Sequence, residues 1–132
     1  MALAHARISE ATERLSSIAL VTFFRIAGLW GLTALEQRTL LGSIPESTFY
    51  KWVKGPQSAR LQRDQLDRVS HLLGIYKSIN ILLPRPESAD KWVRRPNDAA
   101  LFKGASALDY MLAGGLEHIV DVRRYLDSER GW

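Results

Sequence analysis

Cysteine is absent from this 132-residue chain, which excludes disulfides and thiolate chemistry and fits a reducing compartment. No apolar run reaches the roughly 18 residues that a membrane-spanning helix needs. The first residues lack the apolar core of a signal peptide, and Glu10 and Glu13 argue against a transit peptide. The expected location is the cytoplasm. Histidine is scarce: His5, His71 and His118 are scattered, with no nucleophile or metal-ligand pattern around them. No glycine-rich phosphate loop is present either. Asp64 and Asp67 sit among Arg60, Arg63 and Arg68, which reads as a salt-bridged solvent face rather than an acid–base pair. The residues therefore call for no cofactor, no metal and no catalytic function.

What is there is a positive charge with a lopsided distribution. The net formal charge is +4, and residues 1–83 account for all of it, with ten Lys/Arg against six Asp/Glu. Residues 84–132 carry eight of each. A phosphate-binding half joined to a half with another partner leaves this footprint.

The punctuation predicts an all-α chain. Residues 1–16 are mixed in charge and read as an N-terminal arm in the form of a frayed or partner-dependent helix, with a DNA-binding arm as the alternative. From Ser17 to Ala27 the spacing of Leu20, Phe23, Phe24 and Ala27 gives a buried helix, with Gly28 and Gly31 at its end. Thr33-Ala-Leu-Glu36 is a capping-box pattern opening a second helix, about Ala34 to Leu41, with Leu35 facing inward and Gly42 as its stop. Ser43-Ile-Pro-Glu46 repeats the capping pattern ahead of a third helix at Glu46–Lys54, whose Phe49, Trp52 and Val53 predict an apolar face.

Ser58 is expected to cap a long helix from Ala59 to Leu82, its stripe formed by Leu66, Val69, Leu72, Leu73 and Tyr76. Gly74 predicts a break or a tight contact there. Leu83-Pro-Arg-Pro86 then marks the boundary between the halves, giving a division of 1–16, 17–83 and 84–132. Further on, Ser88 reads as the cap of a short helix through Arg95. Ser106 and Asp109 have N-cap spacing, Gly114-Gly115 breaks the following helix, and a last one runs from Leu116 to Ser128.

The second and third helices with the turn between them form a helix-turn-helix, the element that lies in the DNA major groove. Ser47, Thr48, Tyr50, Lys51 and Lys54 are candidate DNA contacts on the third helix, with Arg60 and Arg63 just beyond it for the phosphate backbone. The alternative is a degenerate helix-turn-helix that serves only as a protein-interaction platform.

The run Trp92-Val-Arg-Arg-Pro-Asn-Asp-Ala-Ala-Leu-Phe-Lys-Gly-Ala-Ser-Ala-Leu, followed by Gly114-Gly115-Leu116 and Val120, resembles the C-terminal toxin-binding domain of the ParS/MbcA/Xre antitoxin family. With the Xre-like helix-turn-helix upstream, the resemblance covers about residues 18–132, nearest the ParS branch. One departure is Ala107, where the family usually has Pro. The resemblance implies an all-α fold, an N-terminal helix-turn-helix bundle followed by a small helical toxin-binding domain.

It also implies a type II antitoxin that covers the NAD pocket of a RES-domain toxin and represses its own operon. The partners would then be that toxin and operator DNA, in a homodimer or a hetero-oligomer with the toxin. Arg94, Arg95, Arg123, Arg124, Glu129, Arg130 and Trp132 are the candidate toxin contacts, since arginine and tryptophan favour interface anchors. For Trp132 the alternative is a ring folded back on its own domain. For the whole chain it is a stand-alone regulator whose C-terminal half dimerises.

Overall fold

The computed structural model describes the backbone of residues 2–131, and all their side chains save those at positions 2, 5, 6, 8, 9 and 12. Six α-helices follow in order: α1 (Ala2–Trp30), α2 (Ala34–Leu40), α3 (Glu46–Lys54), α4 (Arg63–Leu82), α5 (Pro86–Trp92) and α6 (Ala107–Glu129). No strand occurs among the described residues; an isolated bridge joins Pro96 to Ser106. The core runs through the whole molecule, from Leu20, Phe23 and Trp30 past Val69, Leu72 and Ile75 to Met111, Ile119 and Val122. Helix α4 is its spine, packed by α1 on one side and α6 on the other.

The expected N-terminal arm and first helix form one element, because nothing between Ala2 and Trp30 interrupts the backbone hydrogen bonding. Gly28 lies inside it, and the stop is Gly31, at φ +64°. There the Leu32 N–H donates to Ala27 O at 2.9 Å and Gly31 N–H to Gly28 O at 3.2 Å. These are the two bonds of a Schellman ending, with glycine at its left-handed position.

Thr33 caps α2 as expected: its hydroxyl accepts from Glu36 N–H, and the Glu36 carboxylate accepts from Thr33 N–H. Leu35 lies on the outer side at 65% exposed, since Leu40 and Leu41 already fill the core beneath α2. The second capping pattern is not formed. Ser43 takes a left-handed φ of 58° three residues before the helix, so Pro45 becomes the N-cap and offers no side-chain bond.

Ser58 closes a 3₁₀ turn over Pro56–Ser58 through its bond to Gly55 O, and Gln62 with Gln65 caps α4 instead. Between them Ala59 and Leu61 are buried, and the Leu61 N–H donates to the buried Ser16 hydroxyl of α1 at 3.1 Å. Helix α5 opens on Pro86 rather than Ser88, because proline's fixed φ suits the first helical position. Ser106 caps α6 by accepting from Asp109 N–H. Ala107 is the first residue of α6, so the family's usual proline there would equally start the helix.

Candidate functional site

The recognition element is held rigidly. Arg38 brackets Ile44 on both sides: its carbonyl accepts from the Ile44 N–H at 3.2 Å, and its Nε donates to Ile44 O at 3.0 Å. Gly42, at φ +102°, and Ser43 turn the chain sharply, so a five-residue link (41–45) sets the angle between α2 and α3. Phe49 and Trp52 are buried and anchor α3, while Phe24 of α1 meets Phe49 edge-on at 6.0 Å. Val53, expected on that inner face, is 46% exposed, because Phe49 and Trp52 alone span the contact.

Helix α3 therefore presents Ser47, Tyr50, Lys51 and Lys54 to solvent, with Thr48 half-buried at the edge. Arg63 is exposed at the start of α4. Arg60 differs: its guanidinium forms an ion pair with Glu13 of α1, so its charge is partly spent within the chain. Five candidate DNA contacts share one helix, and the two arginines flank it under different constraints.

The candidate toxin contacts divide more sharply. Three are engaged in hydrogen bonds or close contacts within the chain, although Arg94 stays partly exposed. Arg94 donates from Nη2 to Glu36 and to Gly31 O, both at 2.6 Å, and from Nε to Trp30 O at 3.1 Å. Arg123 lays its guanidinium across α4 at Gly74, where a Cβ would stand 2.5 Å from it, and contacts His71 at 3.3 Å. Gly74 thus makes a tight contact and not a break. Arg130 donates to the buried Ser78 hydroxyl at 3.0 Å and ties the end of α6 to α4.

Arg95, Arg124 and Glu129 are exposed, but they line three separate grooves. Arg95 borders one of about 620 Å³ between the end of α1 and α5; Glu129 borders a notch of about 150 Å³ with Trp92, Tyr125 and Leu126. Trp132 lies outside the described residues.

Sequence reading placed the break within α6 but missed what bridges it. Gly115 has φ 68° and ψ −151°, a conformation essentially reserved for glycine, and it breaks the helical backbone at the expected Gly114-Gly115, so that α6 consists of two helical arms meeting at a kink. Tyr110 staples the two arms across that kink: its hydroxyl donates to Asp121 at 2.6 Å, and its ring stacks on His118 at 4.0 Å. Its carbonyl also bonds His118 Nδ1 at 2.7 Å. The bond to Asp121, with burial, pushes the Tyr110 hydroxyl up to about 12. Only the spacing of a Tyr eight residues before a His hinted at this.

Within the signature run that carries the family resemblance, Asn97 and Phe102 make contacts inside the fold. Asn97 closes the loop before α6: its N–H donates to Ala105 O, its carbonyl accepts from Gly104, and its side chain accepts from Ala99 N–H at 3.0 Å. Phe102 meets Trp92, Tyr110 and Tyr125 edge-on, at 6.2, 5.8 and 5.4 Å. These contacts seat the loop on α5 and α6.

A helix-turn-helix half and a toxin-binding half on one core define an antitoxin. Residues 9–74 match the model of the antitoxin Xre-like helix-turn-helix domain, and residues 80–131 that of the antitoxin Xre/MbcA/ParS C-terminal toxin-binding domain. The chain belongs to this family of type II antitoxins, and a toxin and DNA are its partners. It is similar to the uncharacterized protein y4oB of Sinorhizobium fredii, at 51% identity over 112 residues, 85% of this chain and 84% of that one. No solved structure matches the chain. Among the described residues no helix is long and apolar enough to cross a membrane.

Proposed function

We propose that this antitoxin neutralises a RES-domain toxin that consumes NAD, covering the toxin's NAD pocket with its C-terminal region, and represses its own operon through α3. The observation that carries the reading is the toxin-binding match over residues 80–131, whose last element, α6, leaves Arg124 and Glu129 exposed. In this reading residues 17–83 read DNA and residues 84–132 engage the toxin, with α4 as shared core. Ser47, Tyr50, Lys51 and Lys54 contact DNA, and Arg63 holds backbone phosphate. Arg95, Arg124, Glu129 and Trp132 contact the toxin. Arg94, Arg123 and Arg130 act one step back, holding the surface in shape.

The test is co-expression with a RES-domain protein from the neighbouring reading frame, with growth and cellular NAD as readouts. The wild-type chain restores both, whereas a chain carrying Arg124→Glu with Glu129→Arg restores neither and keeps its operator affinity. A purified chain that neither binds such a protein nor slows its NAD consumption overturns the reading.

A further inference from the structure

Two stretches, Thr33–Glu36 and Ser43–Glu46, carry the same capping pattern, and the fold treats their glutamates oppositely. In the first the box closes, and the Glu36 carboxylate is occupied by the Thr33 N–H and by Arg94. In the second it stays open. Ser43 turns left-handed at φ 58°, and the N-cap is Pro45, which has no N–H to give. The Glu46 side chain is exposed and, among the described residues, has neither an ion pair nor a hydrogen bond.

The fold nevertheless fixes where that carboxylate stands. Two residues earlier Ile44 is buried and tied to Arg38 through both its N–H and its carbonyl. Three residues later Phe49 is buried. Glu46 is thus the first residue of α3, on backbone held from both sides. It lies one turn from Tyr50, itself one turn from Lys54, so it shares a stripe with the exposed DNA-contact candidates. In a helix-turn-helix the N-terminal residues of the second helix are the ones that meet base edges.

A carboxylate in that place is repelled by the phosphates and can only accept hydrogen bonds. In the major groove guanine offers it acceptors, and thymine an acceptor and a methyl group. Adenine sets an acceptor beside its N6 donor. Cytosine alone presents a donor, N4, with no acceptor on the same base.

We infer that Glu46 is a specificity-determining residue of the DNA face, accepting a hydrogen bond from the N4 amino group of one cytosine and rejecting other bases there. Its charge also holds down binding to unrelated DNA. The lysines of α3 then supply affinity, and Glu46 supplies choice. The inference rests on α3 reading DNA and is independent of the toxin.

The test is selection of binding sites by the full chain from a pool of random-sequence duplexes, followed by affinities for each single-base-pair variant of the selected site. The wild-type site should hold one C·G pair whose replacement weakens binding about 5- to 150-fold. Glu46→Ala should erase that preference alone, and should bind unrelated duplex more tightly than the wild type does. Glu46→Gln should shift the preference from C to A, since a glutamine amide pairs with adenine N6 and N7. A Glu46 that only favours the helix through its charge in the first turn would lower the melting temperature and leave every base preference alone, which overturns the inference. So does a change that is uniform across all site variants. Lys51→Ala separates this inference from the reading beneath it. If Lys51→Ala weakens binding while every preference survives Glu46→Ala, the inference alone fails. If the wild type selects no site, the DNA reading of α3 fails with it.

Discussion

The Arg94 guanidinium lies 2.6 Å from a carboxylate oxygen of Glu36, joining the loop after α5 to the first turn of α2. Glu36 is at the same time the capping-box partner of Thr33, and Arg94 also closes the end of α1 through Trp30 and Gly31. Three helix ends therefore meet at one ion pair. Replacing Arg94 with Ala should cost about 1–3 kcal/mol, since it strips hydrogen bonds from carbonyls that have few alternatives. A double-mutant cycle with Glu36→Gln, followed by urea denaturation, should return a coupling of about 0.5–3 kcal/mol. Additive effects would show that the two residues do not act together.

Burial works to raise the Glu36 carboxyl, but the bonds from Thr33 and Arg94 outweigh it and hold the group below its usual range. The folded chain thus binds this proton less readily than the unfolded one. The stability it contributes is complete above the ordinary value of 4.5 and is lost as pH falls through the folded value. Comparing the wild type with Glu36→Gln by denaturation at pH 7 and pH 4 should show a smaller acid loss in the variant.

His71 titrates in a different window. Burial, then the neighbouring charges of Arg123 and Arg124, hold it below its usual 6.5, with Asp67 pulling the other way. Protonation is easier in the unfolded chain, so stability is full above 6.5 and declines as pH drops toward the folded value. His71→Gln should flatten the change in melting temperature between pH 7 and pH 5.5. An unchanged slope would place the titration elsewhere.

Gly115→Ala should destabilise the chain by about 1–3 kcal/mol, because a Cβ is strained at φ 68°, ψ −151°. Gly114→Ala should be damaging for another reason, as its Cβ would stand 2.1 Å from the His118 ring. Both changes should weaken toxin binding more than DNA binding, measured by calorimetry with each partner. An equal loss of both would mean that the kink serves the whole core.

For the DNA face, Lys51→Ala and Lys54→Ala should each weaken operator binding across all sequences and reduce the salt slope by about 1. Tyr50→Ala should instead alter preference among operator variants, as a base-contacting side chain does. Affinities unmoved at physiological salt would remove α3 from the interface.

The sequence by itself determined the all-α class, α3 at Glu46–Lys54, the Thr33 and Ser106 caps and the family, because these depend on residues within a few positions of one another. Capping, glycine stops and helical spacing are local, and local physics is written in order along the chain. It failed locally only where two signals competed, as at Ser43 and Ser58, where a left-handed turn or a 3₁₀ turn took the residue expected to cap. What tertiary structure decided was the use of charge. Nothing in the run Arg94-Arg95 says that the first arginine is spent on Glu36 and the end of α1 while the second stays in solvent. The same holds for Arg123 on Gly74 and Arg130 on Ser78, each 49 or 52 positions away. A guanidinium goes to whatever acceptors the fold brings near it, and those are set by how α1, α4 and α6 pack.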